Sequence, residues 1–353
     1  MIEIDGSYGE GGGQILRTAL FLSLLTQKPF RAFNIRKGRS KPGLKPQHLH
    51  IIKALLELTD SRVEGAREGS LSIKFYPGPI RGGRLRVDIG TAGSIPLFLQ
   101  TLLPVSFFAE RDVDLTIRGG TDVSGSMTAD YFAHVLLPHV RHLARKAELH
   151  VIRRGFYPRG GGEIRLLVRP RLGNLLAGER TAENILKLNQ PFSLDERGEL
   201  KEILIFSLSW DGLKNREVAE RQARAAVKAL KMRYPVPVRE KISYVSTLSP
   251  GTSITLVARF EKGLMGSDGL GKKGKPAEKV GEDAALKLID EIESGATVDV
   301  HLCDNLIPYL ALFGGRLKVR EISSHTRSNI WISEKFLGKR FVASGNLVEV
   351  PRR

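Results

Sequence analysis

Ile2-Glu-Ile-Asp-Gly-Ser-Tyr-Gly-Glu-Gly-Gly-Gly-Gln-Ile-Leu-Arg17 is the stretch from which the rest of the chain is read. Its first four residues alternate apolar and acidic side chains, the period of a half-buried strand. From Gly11 the apolar spacing becomes helical and predicts a helix to Thr26. Between them lies a glycine-dense turn with one carboxylate, Glu10, and the helix then carries a lone Arg17. Glycine permits positive φ and close backbone approach, and helix-start N–H groups attract anions. Two readings follow: a tight strand-to-helix turn, or an anion cradle in which Glu10 faces a divalent cation.

Outward from this stretch, one βαβαββ pattern is legible three times. The first copy continues with strand Phe30–Arg36, helix Pro46–Leu58 and strands Arg62–Ala66 and Leu71–Phe75. The second runs strand Leu85–Ile89, helix Gly93–Phe107, strand Asp114–Arg118, helix Thr128–Ala144, and strands Leu149–Arg153 and Glu163–Val168. The third runs strand Val298–Leu302, helix Asp304–Phe313, strand Leu317–Ile322, helix His325–Phe336, and strands Arg340–Ala343 and Leu347–Val350. Alternation and β-branched residues carry the strands, apolar spacing the helices. Each unit would bury one sheet face under two helices, and three units could surround a pseudo-threefold axis. The expected class is α/β (α+β): three repeats, with a smaller αβ domain inserted. The large domain would comprise 1–172 and 297–353, and the insertion 173–296.

Within the insertion, Ala177–Gly198 reads as a polar linker. The remainder reads as strand Glu202–Ser209, helix Arg216–Met232, strands Ile242–Thr247 and Thr252–Phe260, and helix Ala277–Ile292. Gly266-Ser-Asp-Gly-Leu-Gly-Lys-Lys273 nearly matches a phosphate-binding P-loop, but Lys273 stands where Ser or Thr would hold magnesium. Gly263–Lys275 is therefore expected to be a mobile surface loop. A dinucleotide fingerprint after the first strand fails as well, because Gln14 occupies the third glycine position.

The chain has 353 residues, a formal net charge of +17 and one cysteine, Cys303. That composition excludes an intramolecular disulfide and a multi-thiolate zinc site, and it fits a reducing, cytoplasmic setting. No apolar run has the length of a membrane span. The positive excess suits a polyanionic partner or a simply basic, solvated surface.

Three further segments carry chemistry. Arg36-Lys-Gly-Arg-Ser-Lys-Pro-Gly-Leu-Lys-Pro-Gln-His48 sets five cations in a loop that its prolines stiffen. Arg153-Arg-Gly-Phe-Tyr-Pro-Arg-Gly-Gly-Gly-Glu163 combines arginines, aromatics and glycines that could hold phosphates and stack a base. In Glu321-Ile-Ser-Ser-His-Thr-Arg-Ser-Asn-Ile330, Ser323 or Ser324 can cap a helix starting near His325. A helix N-terminus favours a neutral imidazole with a free nucleophilic nitrogen, and the same N–H groups can hold a phosphate. A histidine in that place can equally serve as a cap or hydrogen-bond partner.

Taken together, Gly9-Glu-Gly-Gly-Gly-Gln-Ile-Leu-Arg17, the run Ile35–Leu44 with Gln47-His48, the loop Arg154–Gly162 and Ser324-His-Thr-Arg-Ser-Asn-Ile330 resemble the RNA 3′-terminal phosphate cyclase family across the whole chain. The resemblance implies ATP-dependent conversion of an RNA 3′-phosphate end to a 2′,3′-cyclic phosphate, with His325 forming a covalent histidine–AMP intermediate. It implies ATP, a divalent cation (Mg2+ or Mn2+) and RNA as ligands. It places Glu10 near the metal and Arg17 near phosphate. Gln100, Met127 and the stretch His301-Leu302-Cys303-Asp304-Asn305 fall at the nucleotide. Arg36, Arg39 and Gln47 fall on RNA phosphate or triphosphate. Two alternatives remain beside it: a non-catalytic branch acting in ribosome assembly, and an enolpyruvyl transferase sharing the repeated βαβαββ plan.

Overall fold

The computed structural model describes residues 1–173, 192, 194–338 and 341–351. Its class is mixed α/β, as the sequence predicts. The first sheet contains Ile2–Asp5, Phe30–Phe33, Ile73–Tyr76 and Arg62–Glu64, in that spatial order. Its first pair is parallel, with Ile2 opposite Phe30, and the other pairs are antiparallel. The second sheet repeats this plan with Gly83–Asp88, Val113–Gly119, Gly162–Pro170 and Ala144–Arg153. Strand residues obey the period-two rule: Val113, Leu115 and Ile117 are buried while their neighbours are less so.

The helices lie inward of these sheets. Ile95–Phe107 is buried on almost every side, so it is apolar all round rather than on one stripe. Ser94 caps it by accepting from the Leu97 amide at 3.1 Å. It packs on Gly13–Thr26, also buried on nearly all sides, and on Pro46–Leu58. These helices, the sheets and the helices Val300–Phe313 and Ser324–Leu337 share one hydrophobic core.

Two expected elements differ in the large core. The expected helix at 128–144 starts at its Thr128 cap and is helical without a break to Leu143, but its hydrogen bonding changes along the way: α at Ala129–Tyr131, π at Phe132–Leu136, α at Leu137–Val140 and 3-10 at Arg141–Leu143. Val298–Leu302 is not a strand. The Asp299 side chain accepts from the Leu302 amide at 2.9 Å and starts a helix there, Val300–Phe313. The third sheet, Gly315–Lys318, Leu347–Val350 and Val342–Ser344, instead has Leu194 bridged in parallel to Leu317.

The inserted segment has a second core of its own. Its sheet orders Val238–Val245, Leu200–Trp210, Thr252–Phe260 and Leu264–Leu270, covered by helices Val218–Lys231 and Ala277–Glu293. The strand Leu264–Leu270 corrects the expected surface loop over Gly263–Lys275. Its glycine at 266 serves packing: a Cβ there would lie 2.5 Å from Val135 Cγ2 and 2.9 Å from the Leu256 carbonyl. Of the expected linker, residues 177–191 and 193 lie outside the described residues.

Candidate active site

The glycine turn meets the start of the Ser324–Leu337 helix. Gly9 and Gly11 take φ of +57° and +56°, a conformation that favours glycine. Gly9 also lies so close to the helix that a Cβ would come within 2.7 Å of Ser328 Oγ. This approach brings Glu10 to its partners: it accepts a hydrogen bond from Ser324 Oγ, 314 residues away in sequence. Glu10 Oε2 stands 3.8 Å from His325 Nε2 and 3.7 Å from Arg39 Nη2. The Ser324 hydroxyl, then His325 and Arg39, hold the Glu10 carboxyl below its ordinary pKa, against a smaller burial effect.

The first turn bearing His325 is fixed from below. Ser323 caps the helix by accepting from the Thr326 amide at 2.9 Å, and its hydroxyl donates to Asp304 Oδ1 at 2.6 Å. Thr326 Oγ1 donates to the same carboxylate oxygen, also at 2.6 Å. Asn329 donates to the Asp304 carbonyl at 2.5 Å and accepts from Thr18 Oγ1 at 2.9 Å. Gln14 donates to the His325 carbonyl at 3.2 Å. Burial raises the Asp304 pKa, against the opposing pull of these hydroxyls and of His325 and His301. Asp304 is thus a positioning residue for the histidine turn.

A cationic wall stands beside the glycine turn. Arg17 is pushed down to about 10 by burial, and its Nε has no hydrogen-bond partner. Gln47 Nε2 is buried and unpartnered too. Arg36 adopts φ of +53° and donates Nη1 to the carbonyls of Lys41 and Gly43, which fixes the basic loop. Its first task is therefore loop organisation. Burial first, and then Arg36, Lys41 and Arg39, lower the Lys45 pKa. His48 is pushed down to about 3 by burial and by Arg17, Arg36 and Lys45, so it is neutral. It accepts from the Lys45 amide through Nδ1, at 3.1 Å. Gly13 must lack a side chain, because a Cβ would fall 2.2 Å from His48 Nε2. Among the described residues, Glu10 is the one carboxylate within ion-pair reach of this wall, on Arg39. Such an excess of positive charge, with donors left open, suits phosphate groups.

On the other side of the histidine turn, Gln100 donates to Asn305 Oδ1 at 2.8 Å, and Asn305 donates to the His301 carbonyl at 2.7 Å. His301 is exposed and Met127 half-buried. Asp268, from the insertion, accepts from the Thr128 amide at 2.8 Å, and burial raises its pKa. Gln100, Asn305 and His301 are thus joined by hydrogen bonds, and Met127 directly precedes the Thr128 amide that Asp268 holds. Leu302 and Cys303 do not join them: both are fully buried in the core, and burial raises the Cys303 thiol pKa. Among the described residues no cluster of three or more His, Cys, Asp or Glu could hold a metal. A cation at Glu10 would take its remaining ligands from phosphate and water, as magnesium commonly does.

Two side chains of the Arg154–Gly162 loop have a structural role. Arg154 lies between two carboxylates, 2.6 Å from Asp130 and 3.3 Å from Asp122, with 14% of its side chain exposed. Phe156 packs under Gly251 of the insertion, and the Arg159 amide donates to Ser249 Oγ at 3.1 Å. Arg154 and Phe156 of this segment thus fasten the second sheet to the insertion rather than facing phosphate or a base.

The family model described as RNA 3′-terminal phosphate cyclase matches residues 8–343. The chain belongs to this family. It is 44% identical to the RNA 3′-terminal phosphate cyclase of Pyrococcus furiosus, over 99% of this chain and 97% of the relative. It is 43% identical to that of Thermococcus onnurineus, over 100% and 98%, and 44% identical to that of Methanosarcina acetivorans, over 97% and 96%. The family match contains the whole of the second core, so the insertion is part of the shared chain. No helix among the described residues is long and apolar enough to cross a membrane.

Proposed function

We propose that this RNA 3′-terminal phosphate cyclase closes an RNA 3′-phosphate end to a 2′,3′-cyclic phosphate with ATP as energy source and His325 as nucleophile. His325 Nε2 attacks the α-phosphorus; the bond to the β-phosphate oxygen breaks and pyrophosphate leaves. An oxygen of the RNA 3′-phosphate then attacks the phosphorus of the histidine-bound AMP, and the P–N bond breaks. Finally the 2′-hydroxyl loses its proton and attacks the activated 3′-phosphorus, expelling AMP. A phosphate monoester is a poor electrophile until such a leaving group is attached. Arg17, Arg39 and Gln47 would hold the phosphates, and Gln100, Met127, His301 and Asn305 the nucleoside. A divalent cation at Glu10 would neutralise triphosphate charge.

The observation carrying this reading is the placement of His325 Nε2 3.8 Å from Glu10, on a helix turn locked to Asp304 and beside under-compensated arginines. Incubation with α-labelled ATP and a divalent cation, without RNA, should leave acid-labile, alkali-stable label on the protein. Full labelling of His325→Ala would sink the mechanism. Glu10→Ala should need a higher metal concentration for half-maximal labelling; an unchanged metal titration would remove Glu10 from the metal site.

A further inference from the structure

One feature beside the histidine turn has no part in the chemistry above. Tyr8 and Trp331 stack with ring centroids 4.1 Å apart and planes 9° from parallel. The Lys335 ammonium stands 5.7 Å from the centroid of Trp331. Tyr8 remains 40% exposed, although a large aromatic ring gains by burial.

Its position follows from helix geometry. Ser324, Ser328, Trp331 and Lys335 recur at helical spacing on the Ser324–Leu337 helix and share one face. The glycine turn runs along that face in the opposite direction: Glu10 meets Ser324, Gly9 lies on Ser328 and Tyr8 stacks on Trp331. At roughly 1.5 Å per residue, Trp331 lies about 10 Å along the helix from the first turn. A nucleotide whose 3′-phosphate reaches His325 can extend its base that far.

The platform is pre-ordered. The Tyr8 amide donates to the Asp5 carbonyl at 3.3 Å, and the Tyr8 carbonyl accepts from the Gly11 amide at 3.0 Å. A base docking there would order little that is not ordered already. Aromatic platforms of this kind take bases of any sequence, because every base has a π-face. Among the described residues no carboxylate forms an ion pair with Lys335 or Arg327, and both lie on the helix of Trp331, so the surroundings favour a polyanionic strand.

We propose that Tyr8, backed by Trp331, stacks the 3′-terminal nucleobase of the RNA substrate and so sets the terminal phosphate at His325. This rests on the RNA-cyclase reading, but its binding measurements need no catalysis. RNA ending in a 3′-phosphate, with 2-aminopurine as its last base, is titrated with protein in the absence of ATP. Wild type and Tyr8→Phe should bind and quench the base. Tyr8→Ala should bind about tenfold more weakly and leave the base fluorescent. RNA with an abasic last nucleotide should bind wild type about tenfold more weakly, and Tyr8→Ala no more weakly than it binds intact RNA.

Equal affinity of wild type for intact and abasic RNA would overturn the proposal. So would an abasic penalty that persists undiminished in Tyr8→Ala, or label transfer from ATP falling in Tyr8→Ala as far as RNA binding does. That last result would make Tyr8 a strut for the glycine turn, or leave the aromatic pair for a protein partner. Absence of covalent label in wild type would overturn the histidine chemistry while leaving the base-quenching result to stand or fall separately.

Discussion

Asp304 offers the sharpest test of how this site is built. It is buried, and a single oxygen, Oδ1, accepts from both Ser323 and Thr326 at 2.6 Å. Asp304→Ala removes both bonds and strands two hydroxyls, of which Ser323 is also the helix cap. A hydrogen bond to a charged group contributes about 1.5–3 kcal/mol, so the expected loss of stability for the two is about 3–6 kcal/mol. Asp304→Asn retains a carbonyl oxygen for both donors and loses only the charge. Each bond then falls from a charge-assisted one to a neutral one of roughly 1 kcal/mol, so the expected cost for the two is about 1–4 kcal/mol. Urea titration of both variants reads these values. The rate of covalent labelling should follow the same order, with the alanine variant slower by more than tenfold and the asparagine variant closer to wild type. An alanine variant within about 1 kcal/mol of wild type would show that Asp304 does not hold the histidine turn, and the positioning argument would fail.

Arg17→Met should stabilise the nucleotide-free protein by about 1 kcal/mol, because it relieves a half-buried cation without a carboxylate partner. The same change should abolish the upward shift in melting temperature produced by inorganic tripolyphosphate; a retained shift would place the triphosphate elsewhere. Glu291 is pushed up to about 7, chiefly by burial and next by Asp299. Its folded-state value lies above its unfolded one, so its contribution is full below about pH 4.3 and lost as pH rises towards 7. Glu291→Gln should therefore gain stability relative to wild type across that window, by on the order of 3 kcal/mol. A difference that stays flat between acid and neutral pH would refute the assignment.

Local rules carried much of the fold. Pro46–Leu58 has the bounds its proline start and apolar spacing predict, and the strand Thr252–Phe260 has those that alternation predicts. The structure departs from the sequence pattern where a local cue has a distant cause. The glycines of Leu264–Leu270 look like loop residues, yet Gly266 is small because Val135 and the Leu256 carbonyl press on it. Val298-Asp-Val alternates like a strand, but Asp299 is a helix cap. In the site, the sequence marks His325 by its capped turn and Glu10 by the glycine loop, and the fold brings the two within 3.8 Å. Nothing local marks Gln14 and Thr18 as partners of the histidine helix, because each acts on a residue 311 positions away. Arg154 illustrates the converse: arginine among glycines signals phosphate locally, and only the fold supplies Asp122 and Asp130.

Asp299 binds more than its own helix. Its Oδ1 accepts from the Leu302 amide and from the Tyr131 hydroxyl at 2.5 Å, and its Oδ2 from the Gly266 amide of the inserted sheet at 2.8 Å. One buried carboxylate is thus shared by the helix that carries Asp304, the π-helical segment's neighbour and the insertion. Sliding the inserted sheet away would leave a charge short of a donor and loosen the cap of the helix that braces His325. The insertion is in this sense a keystone: remote from the nucleophile, it locks the element on which the nucleophile's turn rests.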